Sequence, residues 1–488
     1  MNKAAKDKRV GIIDIGSNSI RIVVYDEQKR SPIPIYNEKV LCALGKGLSI
    51  TGKLNPEGVD MAKDSLHRFI TLGRNMRIVT LYIVATAAVR DASDGAEFVS
   101  WLESEYNVKV DIISGKEEAK LGAFAVCSSI HKPEGVIADL GGGSLELVGV
   151  TGDVSEKHIS LPLGSLRMQD ESGGDVSRLK KIVDDNLRHE NWISDKKIKN
   201  IYLIGGSFRA LAKIHMQENN YPLKILHEYE VNTKDFIPFI KAIIDTPLNR
   251  LSKFSGCSTK RIASLHGAAM ILLRLTELSK AKKIVFSASG IREGYLYKKL
   301  PASQRSDDNL LFSGRAFASR NGRSISYAQE LFEWIQPLFP DESDKEKRLR
   351  LAFCLFSDIA LHIHPEYRAQ WAFQRIIYGS FTSITHTERV TLALALYYRY
   401  RFRLKDEPVY LSLIGNKEKK IAKILGTAVN LAYSLSGSVD GSLPKTKLIV
   451  GSGSIAIDIN SSMKDVVGDI ISKRIELLNE AYFSEYYE

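Results

Sequence analysis

A stretch of fourteen residues near the start of the chain returns, altered, 125 positions later. The first copy runs Gly11-Ile12-Ile13-Asp14-Ile15-Gly16-Ser17-Asn18-Ser19-Ile20-Arg21-Ile22-Val23-Val24. The second runs Val136-Ile137-Ala138-Asp139-Leu140-Gly141-Gly142-Gly143-Ser144-Leu145-Glu146-Leu147-Val148-Gly149. Asp14 falls on Asp139, Gly16 on Gly141 and Ser19 on Ser144, and the apolar flanks match in phase. Each copy reads as strand, tight turn, strand. A repeat of this kind implies two similar halves that face each other.

At 488 residues the chain is too long for one core, so several domains are expected. Apolar runs at Val10–Ile13, Ile20–Tyr25, Leu81–Val84, Val108–Ile113, Val136–Ala138, Leu145–Val150 and Ile201–Ile204 read as buried strands. Between them Pro56–Asn75, Ser93–Glu105, Lys116–Ser129 and Ser207–Gln217 have helical spacing, with Ser93 and Ser207 as expected N-caps. This alternation is α/β layering. Past Leu300 the polar stretch Pro301–Asn309 gives way to helical periodicities such as Ser326–Leu338 and Lys345–Ile363. The expected domains are therefore residues 1–134, 135–305 and a helical 306–488.

Of the +11 net charge, +9 falls in residues 1–300, where 44 Lys and Arg face 35 Asp and Glu. Such a field concentrates anionic ligands without choosing among them. No apolar run reaches the roughly 18 residues of a membrane span, and Met1–Val10 is polar and basic, so a soluble cytoplasmic protein is expected. Cys42, Cys127, Cys257 and Cys354 form no Cys-x-x-Cys pair and are expected to be buried thiols.

Glycines let turn backbone adopt positive φ and bring amides close to a ligand, so both turns are candidate nests for phosphate oxygens. Gly16, Ser17, Asn18 and Ser19 form one candidate nest, and Gly141, Gly142, Gly143 and Ser144 the other. Asp14 and Asp139 offer hard oxygen ligands suited to Mg²⁺, which takes one or two carboxylates plus substrate phosphate. One Asp-x-Gly turn alone is ordinary hairpin chemistry. Two in repeat register within an α/β context point to a shared phosphate site.

These two loops resemble the phosphate loops of the exopolyphosphatase and guanosine pentaphosphate phosphohydrolase family, within the superfamily of actin, heat-shock chaperone ATPases and sugar kinases. The resemblance extends to Ala85-Thr86-Ala87-Ala88-Val89-Arg90, Ile112-Ile113-Ser114-Gly115-Lys116-Glu117-Glu118-Ala119, Leu203-Ile204-Gly205-Gly206-Ser207 and Ser289-Gly290-Ile291-Arg292-Glu293-Gly294, covering roughly residues 8–300. It implies two ribonuclease-H-like halves followed by a degenerate His-Asp-like (HD-like) helical domain. It also implies Glu118 as the general base that readies water, and Asp139 and Glu146, with Asp14 nearby, as ligands of Mg²⁺ or another divalent cation. Arg90 is a candidate phosphate clamp. Arg21, which takes the repeat position of Glu146, is a candidate substrate contact, as are Gly206, Ser207 and Arg292. Glu117 and Glu118 sit about 100° apart on a helix, so only one can face the cleft.

In the helical part Ser357 precedes Asp358 where a His-Asp pair would stand, so no second metal centre is expected. His362, His364 and His386 are read as surface or core residues. In Tyr397–Arg403 the expectation is aromatics packed inward and arginines in water. The resemblance implies an exopolyphosphatase acting on inorganic polyphosphate, with guanosine pentaphosphate as second or main substrate and a place in the stringent response. It also implies a homodimer; neither a membrane nor a specific nucleic acid is an expected partner. The other readings are a sugar-kinase-like ATP phosphotransferase and a non-catalytic sensor of alarmone or polyphosphate.

Overall fold

The computed structural model describes residues 8–194, 198–251, 262, 264–320 and 324–484. Cys257 and the start of the basic leader lie outside the described residues. The chain divides into two compact units, Met1–Ser306 and Asp307–Glu488.

The first unit holds two mixed sheets. Strands β1 (Val10–Ile15), β2 (Ile20–Tyr25), β3 (Pro34–Val40), β4 (Thr80–Ala85) and β5 (Val110–Ile112) form the first, in the order β3-β2-β1-β4-β5. The second contains β6 (Glu134–Leu140), β7 (Leu145–Thr151), β8 (Val154–Leu161), β9 (Asn200–Gly205), β10 (Tyr229–Asn232) and β11 (Lys283–Phe286), in the order β10-β11-β9-β6-β7-β8. Reading the second sheet from β8 reproduces the first: an antiparallel meander, then two parallel strands, with β10 added at the edge. The fourteen-residue repeat is thus the hairpin at the head of each sheet. Asp14 pairs with Arg21 across β1 and β2, and Asp139 pairs with Glu146 across β6 and β7. The central strands are buried on both faces, which is why they read as unbroken apolar runs.

Helices α1 (Pro56–Asn75), α2 (Ala87–Asp91), α3 (Gly95–Tyr106), α4 (Gly115–Ser129), α5 (Ser165–Ser172), α6 (Gly206–Glu218) and α7 (Ile291–Lys298) carry the rest of the argument. In α1, Pro56 takes the first position, where its missing N–H costs nothing, and Ala62, Leu66, Phe69 and Ile70 make one buried stripe. The N-cap expectations need correction. Ser93 lies before the helix and donates to the Gly52 carbonyl at 3.0 Å, leaving Asp94 at the cap of α3. Ser207 lies inside the first turn of α6, because Gly205 takes the cap with φ of 107°. A Cβ at Gly205 would lie 2.3 Å from the Leu140 carbonyl oxygen, so only glycine fits there.

Helix α4 is apolar on two sides because it lies between the sheets. Ala119, Ala123 and Val126 pack with Ile137, Val148 and Ile204 of the second sheet, while Leu121 packs with Ile12, Val23 and Val84 of the first. Helix α7 follows the last strand of the second half yet buries Tyr295 and Leu296 against the first sheet.

The second unit is largely helical, with α8 (Asp344–Phe356) and α9 (His386–Tyr398) both opened by capping boxes, Ser343 with Glu346 and Thr385 with Glu388. The periodicity through Lys345–Ile363 overruns the helix, which stops at Phe356 and continues as turns. A two-stranded ribbon, β12 (Thr446–Val450) with β13 (Ile455–Ile459), is an addition that the helical expectation omitted. Asp358 is buried and paired with Arg399 at 3.5 Å. Tyr397 and Tyr398 are buried as expected, but Arg399 is buried with them, its guanidinium against the rings of Tyr400 and Tyr433. Burying that guanidinium is tolerable because Asp358 and two aromatic faces replace water around it. His362 and His364 are exposed and His386 is buried. Cys42 and Cys354 are buried and Cys127 half-buried, all as free thiols.

Helices α4 and α7 cross at backbone distance: a Cβ on Gly294 would sit 1.9 Å from the Leu121 carbonyl oxygen. Gly294→Ala is expected to destabilise the first unit by about 1–3 kcal/mol, the usual cost of overpacking. Denaturant titration of the full chain would check this, an unchanged midpoint contradicting the crossing.

Candidate active site

The turns of the two hairpins are built alike. Gly16 N–H donates to the Ser19 carbonyl at 3.1 Å, and Gly141 N–H to the Ser144 carbonyl at 3.0 Å. They meet face to face: a Cβ on Gly142 would lie 2.8 Å from Ser17 Cβ, and one on Gly143 would lie 3.0 Å from Ala87 Cβ. A side chain at Gly142 would press the two turns apart, and one at Gly143 would press on α2. Between them opens a cleft of roughly 1140 Å³, including space open to solvent.

Asp14, Gly16, Ser17, Asn18, Ser19 and Arg21 line this cleft from the first half. From the second half come Asp139, Gly141, Gly142, Gly143, Ser144, Gly206 and Ser207, and Glu118 and Arg292 complete the expected set. Two expected residues stand outside the lining. Glu146 lies beneath it, 1 % exposed, with the Ser160 hydroxyl donating to its Oε1 at 3.0 Å. Arg90 lies behind Glu118 with its guanidinium engaged by protein: Nη1 donates to Glu118 Oε2 and to the Ile113 carbonyl, both at 3.0 Å, and Nε to Asp91 Oδ1 at 3.0 Å. Nη1 and Nε are thereby engaged by protein groups, one of them the Glu118 carboxylate. Ser207 is turned toward Ser264, its hydroxyl donating at 2.9 Å.

Glu118 reaches the cleft because Ser114 caps α4 through the Glu117 N–H at 3.2 Å, which sets the phase of the first turn. Glu117 then points outward and pairs with Lys298 at 2.5 Å, while Glu118 is buried and only 4 % exposed. Gly115 belongs to the same device, since a Cβ there would lie 2.9 Å from Ser160 Oγ, the hydroxyl that holds Glu146.

Four carboxyl groups share this small volume. Burial, opposed by the contact with Arg90, pushes Glu118 up to about 7, and Asp139 and Asp14 push it the same way. Asp139 is pushed up to about 6 by burial, against the pull of Arg209. Glu146 is raised well above the carboxylate range by burial and by Glu118 and Asp139. Asp14 is raised by burial even though Arg292 Nη1 donates to its Oδ2 at 3.0 Å. Carboxylates that resist ionising form a donor set short of positive charge, and a hard divalent cation is the ligand that would relieve it. Among the described residues no group of three or more His, Cys, Asp or Glu side chains converges as a metal cage.

Sequence reasoning missed several lining residues, among them Lys39, Thr86, Gln169 and Arg209. Arg209 follows Gly205 by one helical turn and bonds the Gly205 and Ala288 carbonyls, both at 3.0 Å. Its spacing from the glycine pair was an available signal. Lys39 carried none in its own segment, because only the β2–β3 register sets it opposite Arg21.

Two matching half-sheets, paired glycine turns and a buried acid over their common cleft define a mixed α/β unit of two like halves around one site. The sequence model of the Ppx/GppA phosphatase family matches residues 23–303, and that described as exopolyphosphatase, C-terminal, matches residues 310–482. The chain belongs to the Ppx/GppA phosphatase family, whose members are phosphoanhydride hydrolases. It is 25% identical over 438 residues to the Retrograde regulation protein 2 of Saccharomyces cerevisiae, covering 80% of this chain and 72% of that one. To the guanosine-5'-triphosphate,3'-diphosphate pyrophosphatase of Aeromonas hydrophila it is 23% identical over 472 residues, or 93% of this chain and 92% of that one. The structure of an exopolyphosphatase from Cytophaga hutchinsonii superposes with a TM-score of 0.54 at 24% identity, over 60% of this chain and 97% of that one. That likeness places the two-sheet fold.

The raised carboxyl groups make a stability prediction with a definite sign. Folded Asp139 and Glu146 hold protons that the unfolded chain releases, so stability falls as pH rises from about 4 through about 6. Glu146→Gln should therefore raise the melting temperature near pH 8 and have little effect near pH 4, as thermal melts at those two pH values would read. A loss of stability near pH 8 would mean that the charged form is the one the fold favours.

Proposed function

We propose that this chain is a cation-dependent exopolyphosphatase that removes terminal phosphoryl groups from inorganic polyphosphate, with guanosine pentaphosphate as a second substrate. The observation that carries the reading is the position of Glu118: a buried acid, raised to about 7, over the meeting point of two glycine turns. A general base works best when its pKa lies near the working pH. The two turns offer backbone amides and hydroxyls to a run of phosphate oxygens, Arg21 and Arg292 add positive charge, and Glu118 orients a water for in-line attack on the terminal phosphorus. Arg90 fixes the carboxylate from behind.

Asp139 and Glu146, opposite each other on β6 and β7, are the residues we assign to Mg²⁺ or another divalent cation, with Asp14 across the cleft held by Arg292. Two carboxylates with substrate oxygens and water suffice for Mg²⁺, in keeping with the absence of a larger cage among the described residues. Such a cation, when bound, supplies charge that offsets the anionic phosphoryl group. We read the two halves as ribonuclease-H-like and the helical unit as a degenerate HD-like domain in which Arg399 faces Asp358. A cytoplasmic homodimer acting in the stringent response completes the proposal.

A second reading, guanosine pentaphosphate hydrolysis as the main activity, is favoured by the relative from Aeromonas hydrophila, which aligns along nearly the whole chain. A third, a sensor without turnover, is favoured by the relative named as a regulation protein.

Phosphate release from long polyphosphate, guanosine pentaphosphate and ATP, each with Mg²⁺, separates these readings. Wild type should release phosphate without an acceptor, and Glu118→Gln should lower kcat by about 10²–10⁴. Binding without release would establish the sensor, and consumption of ATP only when a sugar is present, its phosphoryl group passing to the sugar hydroxyl with no free phosphate, would establish a kinase. Because the base must be deprotonated, kcat/KM for polyphosphate should fall as pH drops below about 7; a flat acid limb would remove Glu118 from that role. Arg21→Ala should raise KM for guanosine pentaphosphate, and an unchanged value would remove Arg21 from the substrate site.

A further inference from the structure

An ionic chain runs from α5, which is tied to the second glycine turn, through Arg90 to Glu118, and its first two members, Arg167 and Asp91, have no part in the proposed reaction. Helix α5 hangs from the second loop: Ser165 N–H donates to the Gly141 carbonyl and Leu166 N–H to the Gly142 carbonyl, both at 2.9 Å. The junction has no slack, since a Cβ on Gly164 would lie 2.1 Å from the Gly143 carbonyl carbon. From α5, Arg167 Nη2 reaches Asp91 Oδ2 in the first half at 3.6 Å. Asp91 Oδ1 accepts from Arg90 Nε at 3.0 Å, and Arg90 Nη1 donates to Glu118 Oε2 at 3.0 Å. Side-chain exposure falls along the last three members, from 35% at Asp91 through 23% at Arg90 to 5% at Glu118. A second tie joins the same surfaces, where Gly47 N–H donates to Asp170 Oδ2 at 3.2 Å.

We propose that Asp91 and Arg167 are positioning residues that couple the seating of phosphate in the Gly141–Ser144 loop to the orientation of Glu118. This rests on the reading of Glu118 as the base. Stability does not account for the pair: a partly exposed ion pair contributes about 0.2–1 kcal/mol at most. Position does, because Arg90 bonds both Asp91 and Glu118, and a shift of about 1 Å at a reacting group can cost on the order of 100-fold in rate. A small gap bordered by Ser17, Gly142, Asp91, Arg167 and Asp170 lies beside the Asp91–Arg167 contact. When the second loop closes on its ligand, α5 moves with it, Arg167 draws on Asp91, and Arg90 is left with one geometry toward Glu118.

The test is a double-mutant cycle on the full chain, read by kcat on polyphosphate and by hydrogen exchange. Asp91→Asn and Arg167→Gln should each lower kcat by about tenfold with KM within about twofold, and the double variant should be no worse than either single one. Arg167→Lys, which keeps a single charged contact, should retain most of the wild-type kcat. Amides of segment 113–121, which Arg167 does not touch directly, should exchange roughly threefold faster or more in Arg167→Gln, while those of α1 stay unchanged. Additive losses in kcat, or losses confined to KM, would overturn the coupling. If wild type releases no phosphate from any substrate, the proposed function fails, and the exchange measurement decides the coupling by itself: unchanged protection of segment 113–121 in Arg167→Gln overturns it.

Discussion

The second glycine turn bears no side chain where it meets the first half, and this approach sets the spacing of the cleft. A Cβ on Gly142 would lie 2.8 Å from Ser17 Cβ, too close to fit without a shift, and one on Gly143 would press on Ala87 Cβ at 3.0 Å. That approach sets how far apart the halves stand, and so where Glu118, Asp14 and Asp139 lie relative to one another. A larger residue at Gly142 would move two sheets, because each turn is the rigid end of a buried hairpin. The lining carboxyl groups come from different elements, β1, β6 and the first turn of α4, and the packing of the two halves brings them to one place.

Electrostatics follow from the packing. Closely spaced acids in a buried cleft cannot all ionise without compensation, and Arg292, Arg90 and Arg209 offset only part of that charge. The result is an acid poised near neutrality among carboxyl groups that resist ionising. The repeat also carries a contrast of sign: β2 presents Arg21 where β7 presents Glu146, although the two hairpins share their backbone plan.

Much of this was legible before any coordinates. The repeat marked both turns, and register placed Arg21 and Glu146 as equivalents, because hairpin pairing is local and period-two patterning survives in the sequence. The helical phase that separates Glu117 from Glu118 was legible for the same reason. What escaped reading was set by distant chain. Nothing near Arg90 in the sequence marks Glu118, 28 residues away, or the Ile113 carbonyl as partners of its Nη1. Ser93 and Ser207 looked like helix caps, but a backbone carbonyl and a positive-φ glycine take precedence over local propensity. Arg399 looked like a surface residue until Asp358 was found beside it. Lys39 gains meaning only through the pairing of β2 with β3.

The claim beneath all of this is that both turns grip one anionic ligand together. Amide resonances of Gly16–Ser19 and Gly141–Ser144, followed during a titration with tripolyphosphate, test it most directly. Movement of both sets along a single binding curve is the result this account requires. Movement of one set alone, or of each with its own affinity, would mean that the turns serve separate sites and that the shared cleft is not where the chemistry happens.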